Sequence, residues 1–341
     1  MRTPVKLAAF GGALALAFTG ALGIGTAVGD PLAGTTVAGH GDDHGAPTDA
    51  GSTAAASDLP GGLMVSDRGY SLDLAADALP ASAGAELAYR IVGSDGQPVT
   101  GYEASHDKDM HLIAVRRDTS GFQHVHPSLD ADGTWRVPLD LTAGSWRIFA
   151  DFVPAEGDAA GQTLTLGADL AVAGVYRPEA LPASSRTAQV DGYTVTLDGD
   201  LLPGKESELT LSVARDGRPV TDLEPYLAAY GHLVALRAGD LAYLHVHPAG
   251  EPGDGKTPAG PDITFYATAP STGDYRLFLD FQHDGVVRTA EFTARAARAA
   301  ESAVPAEAAT PDTGGSTPPA ATQHDTADEP ADDHDSDGHS H

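Results

Sequence analysis

Met110–Pro127, MHLIAVRRDTSGFQHVHP, returns 121 residues later as Gly231–Pro248, GHLVALRAGDLAYLHVHP. At this offset His111 meets His232, His124 meets His245 and His126 meets His247. Upstream, Asp95-Gly96-Gln97-Pro98-Val99-Thr100 meets Asp216-Gly217-Arg218-Pro219-Val220-Thr221. A gapless internal repeat means that one structural unit is built twice. Whatever the first copy folds into, the second folds into as well, and both keep three histidines.

The unit reads as all-β. Tyr70, Leu72 and Leu74 alternate with polar or small residues, as do Leu87, Tyr89 and Ile91, and then Trp135, Val137 and Leu139. That period of two belongs to half-buried strands. His111–Arg117 and Phe122–His126 flank Asp118-Thr119-Ser120-Gly121, a hairpin signal, and Asp284-Gly285 separates the last two strands of the second copy. In both copies a glycine, one further residue and an aromatic open a late strand, at Gly144-Ser145-Trp146 and Gly273-Asp274-Tyr275. This layout is that of the aromatic corner of immunoglobulin-like sandwiches. The expected fold is two tandem immunoglobulin-like β-sandwich domains, residues 62–177 and 186–296, joined by a linker at 178–185.

The flanks differ in kind. Residues 1–29 start with Arg2 and Lys6, run apolar from Leu7 to Ile24 and end in small residues, the layout of an export signal peptide or a membrane anchor. Residues 30–61 hold almost no large apolar side chain and are expected to be a disordered linker, with His40-Gly41-Asp42-Asp43-His44 as a weak clasp for metal. The tail, 297–341, is expected to be disordered: from Glu301 onward it has ten acids, no Lys or Arg, and histidines at 324, 334, 339 and 341. The chain has no cysteine, which excludes disulfides, thiolate metal sites and a cysteine nucleophile. A formal charge of −28 argues against nucleic acid, whose phosphates it would repel.

The histidines carry the chemistry. Residues i and i+2 of a strand share a face, so His124 and His126 stand together. A hairpin pairing Arg117 with Phe122 sets Val115 opposite His124 and Ile113 opposite His126, with His111 on the same face. The second copy repeats this with His232, His245 and His247. Three neutral imidazoles from adjacent strands suit Cu(II) or Zn(II). The expectation is therefore one metal site per domain: His111, His124 and His126 in the first, His232, His245 and His247 in the second. Met110 precedes His111 in the first copy only, and alternation directs its thioether to the other face. Asp151 and Asp280 have three readings: metal ligands, carboxylates that orient an imidazole, or ion-pair partners of Arg147 and Arg276, the last preferred.

The His-x-His-Pro stretches and the later Gly-x-aromatic-Arg stretches resemble duplicated secreted bacterial proteins described as heavy-metal-associated. They are also similar to YtkA-like and CopC-like copper-handling β-sandwich domains. That resemblance implies copper binding outside the cytoplasm, with a metal-exporting membrane ATPase as partner. Gln123-His124-Val125-His126 also resembles the His-Val-His strand of copper–zinc superoxide dismutases, but the zinc loop and the cysteines of that family are missing. The expected function is thus an exported, non-enzymatic metal-binding protein, copper first and zinc or nickel next, acting as scavenger, buffer or carrier. It touches a membrane only through its N-terminal segment. The alternative is a metal-free immunoglobulin-like surface interaction or structural protein.

Overall fold

The computed structural model describes residues 59–298 other than His245. The export segment, the His40–His44 clasp and the His-rich tail lie outside the described residues. No helix occurs among the described residues. The first repeat contains β1 (Ser66–Asp67), β2 (Tyr70–Leu74), β3 (Ala78–Pro80), β4 (Ser82–Val92), β5 (Tyr102–Glu103), β6 (His111–Arg116), β7 (Gln123–Val125), β8 (Ser128–Leu129), β9 (Thr134–Leu141), β10 (Gly144–Pro154) and β11 (Leu164–Ala173). The second contains β12 (Thr187–Val190), β13 (Tyr193–Asp198), β14 (Glu206–Arg215), β15 (Arg218–Pro219), β16 (His232–Arg237), β17 (Tyr243–Leu244), β18 (Val246–Pro248), β19 (Asp262–Thr268), β20 (Gly273–His283) and β21 (Val286–Ala296).

Each repeat is a two-sheet sandwich. In the first, the order β1-β2-β4-β9-β8 faces β3-β11-β10-β6-β7; in the second, β12-β13-β14-β19-β18 faces β17-β16-β20-β21. The residues that alternate in sequence fill the two cores: Tyr89, Ile91, Trp135 and Trp146 in the first, Tyr193, Leu211, Phe265 and Tyr275 in the second. The late-strand aromatics close the corners as expected. Trp146 Nε1 donates to Thr142 O (2.8 Å) and the Tyr275 hydroxyl to Ser271 O (2.9 Å), each four residues upstream. The chain changes sheet after Leu244: β17 pairs with β16, and β18 pairs with β19 in the other sheet. Between the repeats, Asp118 accepts from Glu179 N (2.9 Å), and the Arg116 guanidinium lies 5.4 Å from the Tyr176 ring.

The sandwiches pack on each other through a third apolar cluster. It joins Ile113, Val115 and Phe149 of the first repeat to Val234, Leu236, Leu241 and Phe278 of the second, with Phe122 and Tyr243 packed against it. These side chains come from the outer faces of β6, β10, β16 and β20, opposite those that fill the cores. Every residue of β6 is consequently buried, on both faces. Phe122 stacks on Phe278 at 3.9 Å between centroids, and Phe149 lies 5.8 Å from Tyr243. An apolar seam of this kind holds two domains in one orientation, whereas polar interfaces leave them free to move. A strap before β1 crosses the seam: Tyr243 N donates to Gly61 O (2.9 Å) and Gly62 N to Thr165 O (2.8 Å). Gly62, at φ +73°, has no room for a side chain, because a Cβ would stand 2.4 Å from the Phe149 ring.

The seam has three layers, set by strand register. At one end Arg147 is opposite Val115 and Arg276 opposite Leu236; in the middle Phe149 is opposite Ile113 and Phe278 opposite Val234; at the other end Asp151 is opposite His111 and Asp280 opposite His232. Replacing Phe278 by Ala removes a fully buried ring from the middle layer and is expected to cost about 3–5 kcal/mol of stability. Denaturant unfolding of the full chain measures it; a loss below about 1 kcal/mol would mean that the seam does not hold the repeats together.

Candidate metal centre

The end layer brings histidines of both repeats into one cluster. His111, on β6, stacks on His232, on β16, with ring centroids 5.4 Å apart and planes within 5°. His124, on β7, lies 5.3 Å from His111 and 4.8 Å from His232. His126, just after β7, lies 5.1 Å from His111 and 5.0 Å from His124. One ring nitrogen from each of His111, His124 and His232 falls within 4.8 Å of the other two. The expectation of one triad per domain is therefore corrected. His232 joins the histidines of the first repeat, because both sheets turn this face toward the seam. His247 is exposed on β18 opposite Tyr266, and His245 lies outside the described residues.

The hairpin register also differs from the sequence reading. His124 is opposite Ile113, not Val115, so the ladder has moved by two residues and His124 sits nearer His111. The cause is in the turn: Arg116 N bonds Ser120 O (3.0 Å), and Gly121, at φ +67°, is an extra residue before the ladder resumes. A shift of two keeps every side chain on its face. Met110 is buried in the core of the first repeat, so its thioether is not part of the cluster.

Hydrogen bonds fix the tautomers. His111 Nε2 donates to Ser105 O (2.8 Å), which leaves Nδ1 without a proton. His124 Nδ1 donates to the Asp280 carboxylate (2.8 Å). Its Nε2 and the bare His111 Nδ1 face each other at 3.1 Å. Nitrogens about 2.0–2.1 Å from one ion stand roughly 2.9–3.3 Å apart at ligand angles from square-planar to tetrahedral, so the spacing fits two ligands on one ion as well as it fits an N–H···N hydrogen bond. His126 adds a further signal: its Nε2 is buried and has no hydrogen-bond partner among the described residues.

A proton is a poor occupant of this place. Burial pushes His111 down to about 3, with His124 adding to the effect and the Ser105 bond opposing it. Burial and then His124 push His126 down to about 4. His232 is held well below the usual imidazole value, by burial first and by His124 and His111 next. His111, His126 and His232 are thus neutral imidazoles at neutral pH, the form that binds metal.

Asp280 takes the imidazole-orienting reading over the preferred ion pair. It accepts from His124 and from the Thr289 hydroxyl (2.6 Å), not from Arg276, which bonds Thr293 and Glu291. A carboxylate behind a ligand imidazole orients the ring and raises its basicity, and here the carboxylate comes from the other repeat. Asp151 accepts from Thr165 (2.7 Å), while Arg147 bonds Gly62 O, Leu63 O and Asp169. Burial raises Asp151 to about 6 despite the Thr165 bond. His106 was not singled out from sequence. It lies 6.0 Å from His111 and 5.4 Å from His232, in a two-residue turn whose only sequence signal is a His-Asp pair just before the repeat core. His283 serves elsewhere, between the Tyr193 hydroxyl (2.7 Å) and Asp222 (3.1 Å).

Comparison with known proteins gives a family. A domain of unknown function (DUF8832) matches residues 64–176 and again residues 188–298. This match does not extend to the copper-handling domains that the sequence resembles. No curated protein sequence matches the chain. Among solved structures, the Escherichia coli adhesin FdeC is 14% identical at a TM-score of 0.22, over 68% of this chain and 65% of that one. The Yersinia pseudotuberculosis adhesin InvE is 13% identical at 0.20, over 66% and 58%. Invasin, a bacterial integrin-binding protein, is 13% identical at 0.21, over 68% and 40%. The match thus spans less than two thirds of each of these chains. At TM-scores of 0.20 to 0.22 these likenesses carry no argument.

The lowered imidazoles set a pH dependence. Below about 6.5 the unfolded chain takes up protons that His111, His126 and His232 refuse in the fold, so stability falls with pH. The loss runs on towards about 3 for His111 and about 4 for His126. Asp151 works the other way: its raised value contributes stability that is full at low pH and lost as pH rises through about 6. Three imidazoles outweigh one carboxylate. Denaturation of the metal-free chain from about pH 7 to pH 4 should therefore lose more stability in the parent than in a His111→Gln, His126→Gln variant. Equal slopes would contradict the buried, neutral assignment.

Proposed function

This chain belongs to the DUF8832 family, two copies of it in tandem, and we propose that its two repeats together bind one transition-metal ion, copper first and zinc or nickel next. The observation that carries this reading is the convergence of one ring nitrogen each from His111, His124 and His232 within 4.8 Å of one another, with His111 Nδ1 and His124 Nε2 3.1 Å apart. His111, His124 and His232 are the ligands, His126 stands by as a fourth, and Asp280 orients His124. An all-imidazole site favours Cu(II) over Zn(II) in the divalent series. The protein would act outside the cytoplasm as a scavenger, buffer or carrier, a reading supported by the apolar N-terminus and the acidic, His-rich flanks. A metal-exporting ATPase is the proposed source of the ion.

A second reading has support of its own. The tandem immunoglobulin-like sandwich suits a surface interaction module, in which the histidines would only pack the seam. The two readings part on metal content. The test uses the full chain with Ala at His40, His44, His324, His334, His339 and His341, purified without a metal resin, so that the flanks contribute no imidazole. One tightly bound Cu(II) per chain is expected, not one per repeat. His232→Ala should abolish it as fully as His124→Ala, although the two residues belong to different repeats. A parent that binds no metal would leave the interaction module as the function. Asp280→Asn should keep the ion but weaken it by about 10–100-fold, read by competition with a chelator of known affinity.

A further inference from the structure

The strap before β1 is held both along β11 and across the seam. Gly62 N donates to Thr165 O, Gly167 N donates to Met64 O (2.8 Å), and Tyr243 N donates to Gly61 O. The Arg147 guanidinium donates to Gly62 O through Nε (3.2 Å) and through a terminal nitrogen (2.6 Å). The strap thus runs parallel to β11 and covers its edge, and β3 covers that edge further on, opposite Ala171 to Ala173. Strand register gives each of these groups a counterpart in the second repeat. Thr165 is opposite Asp151 as Thr289 is opposite Asp280, and Gly167 is opposite Phe149 as Glu291 is opposite Phe278. Arg147 corresponds to Arg276 and Tyr243 to Phe122. Among the described residues the outer edge of β21 takes a single backbone bond, from Ser185 N to Thr293 O (3.1 Å). Thr293 faces outward, so by alternation the backbone groups of Val287, Thr289 and Glu291 face outward too. No described residue bonds Thr289 O, Glu291 N or Phe122 N. Arg276 is 4% exposed, and its Nε is buried with no hydrogen-bond partner among the described residues. That is the nitrogen with which Arg147 holds Gly62, and a buried N–H left unpaired is costly. Phe122 meanwhile lies flat on Phe278 at 3.9 Å, whereas Phe149 and Tyr243 stand 5.8 Å apart with Gly62 against both.

We propose that the outer edge of β21 is a second strap site and that its occupant is the tail of the same chain, at Thr313–Thr317. Three properties select this segment. The first strap needs glycine where a Cβ on Gly62 would stand 2.4 Å from a ring, and the only Gly-Gly pair of the tail is Gly314-Gly315. Glu291 stands exposed on the edge and repels acids, and Thr313–His324 is the longest acid-free stretch of the tail. Reach is sufficient. Thr289 lies nine residues before Arg298, about 30 Å along an extended strand, and the 16 positions from Arg298 to Gly314 span roughly 50 Å. The tail can therefore run back, turn and lie parallel to β21, as the strap lies on β11. Gly314-Gly315 then takes the place of Gly61-Gly62: Gly315 N donates to Thr289 O, Arg276 Nε to Gly315 O, Phe122 N to Gly314 O and Glu291 N to Thr317 O. Main-chain bonds of this kind hold an extended segment on a sheet edge, and they cover an edge that would otherwise recruit another chain. No metal ligand takes part, so the docking is independent of the metal site.

The test is amide hydrogen exchange of the full, metal-free chain, read residue by residue by nuclear magnetic resonance. Docking protects the amides of Phe122 and Glu291, to which no described residue offers a bond. In a Gly314→Val, Gly315→Val variant both amides should exchange about tenfold faster or more. The changes lie in the tail, so circular dichroism should be the same for parent and variant. Exchange in the parent as fast as in the variant overturns the proposal. Equal, strong protection in both overturns it as well, and assigns the edge to another occupant. Protection that rises with protein concentration overturns docking within one chain and assigns the edge to the tail of a second copy.

Discussion

Everything at the candidate site depends on the apolar seam between the repeats. Ile113, Val115 and Phe149 pack against Val234, Leu236 and Phe278, all fully buried. That contact orients the two sandwiches and seals the end layer, where His111, His124 and His232 lie. Burial is what lowers the basicity of His111, His126 and His232, and the seam is what buries them.

The cost of that burial explains the arrangement of hydrogen bonds. A neutral imidazole has one donor and one acceptor, and a buried polar atom left unpaired is expensive. The fold gives one nitrogen of His111 a backbone carbonyl and one of His124 a carboxylate, and turns the remaining nitrogens toward each other. The carboxylate crosses the seam, so the two repeats are joined at this end by polarity as well as by packing.

The sequence displayed the repeat, the strands and the face shared by His111 and His124, because these follow from alternation within one segment. It did not display the convergence of the two repeats. Alternation says which residues point the same way and nothing about what packs on them. One signal was nevertheless present: Leu112 to Val115 is an unbroken apolar run, where a strand with one wet face would alternate. Such a run implies a second buried face, and His232 would have been placed against His111 had that face been assigned to the other repeat. An ion pair is the preferred reading of Asp280 for the same reason, since an arginine four residues earlier is a near partner in sequence but points into another layer. His106 depends on a turn with two left-handed residues, which a His-Asp pair does not announce.

The contacts across the seam are reciprocal. Phe122 stacks on Phe278, and their repeat counterparts Tyr243 and Phe149 meet in turn. His111 lies ring to ring on its own counterpart, His232. A residue that meets its own equivalent marks a two-fold axis, and a surface related to itself in this way is isologous. The two repeats therefore meet as the subunits of a symmetric dimer would. A protein with a single copy of this domain and the same outer face would complete the seam by pairing with itself, and the stacked histidines would then come from two separate molecules.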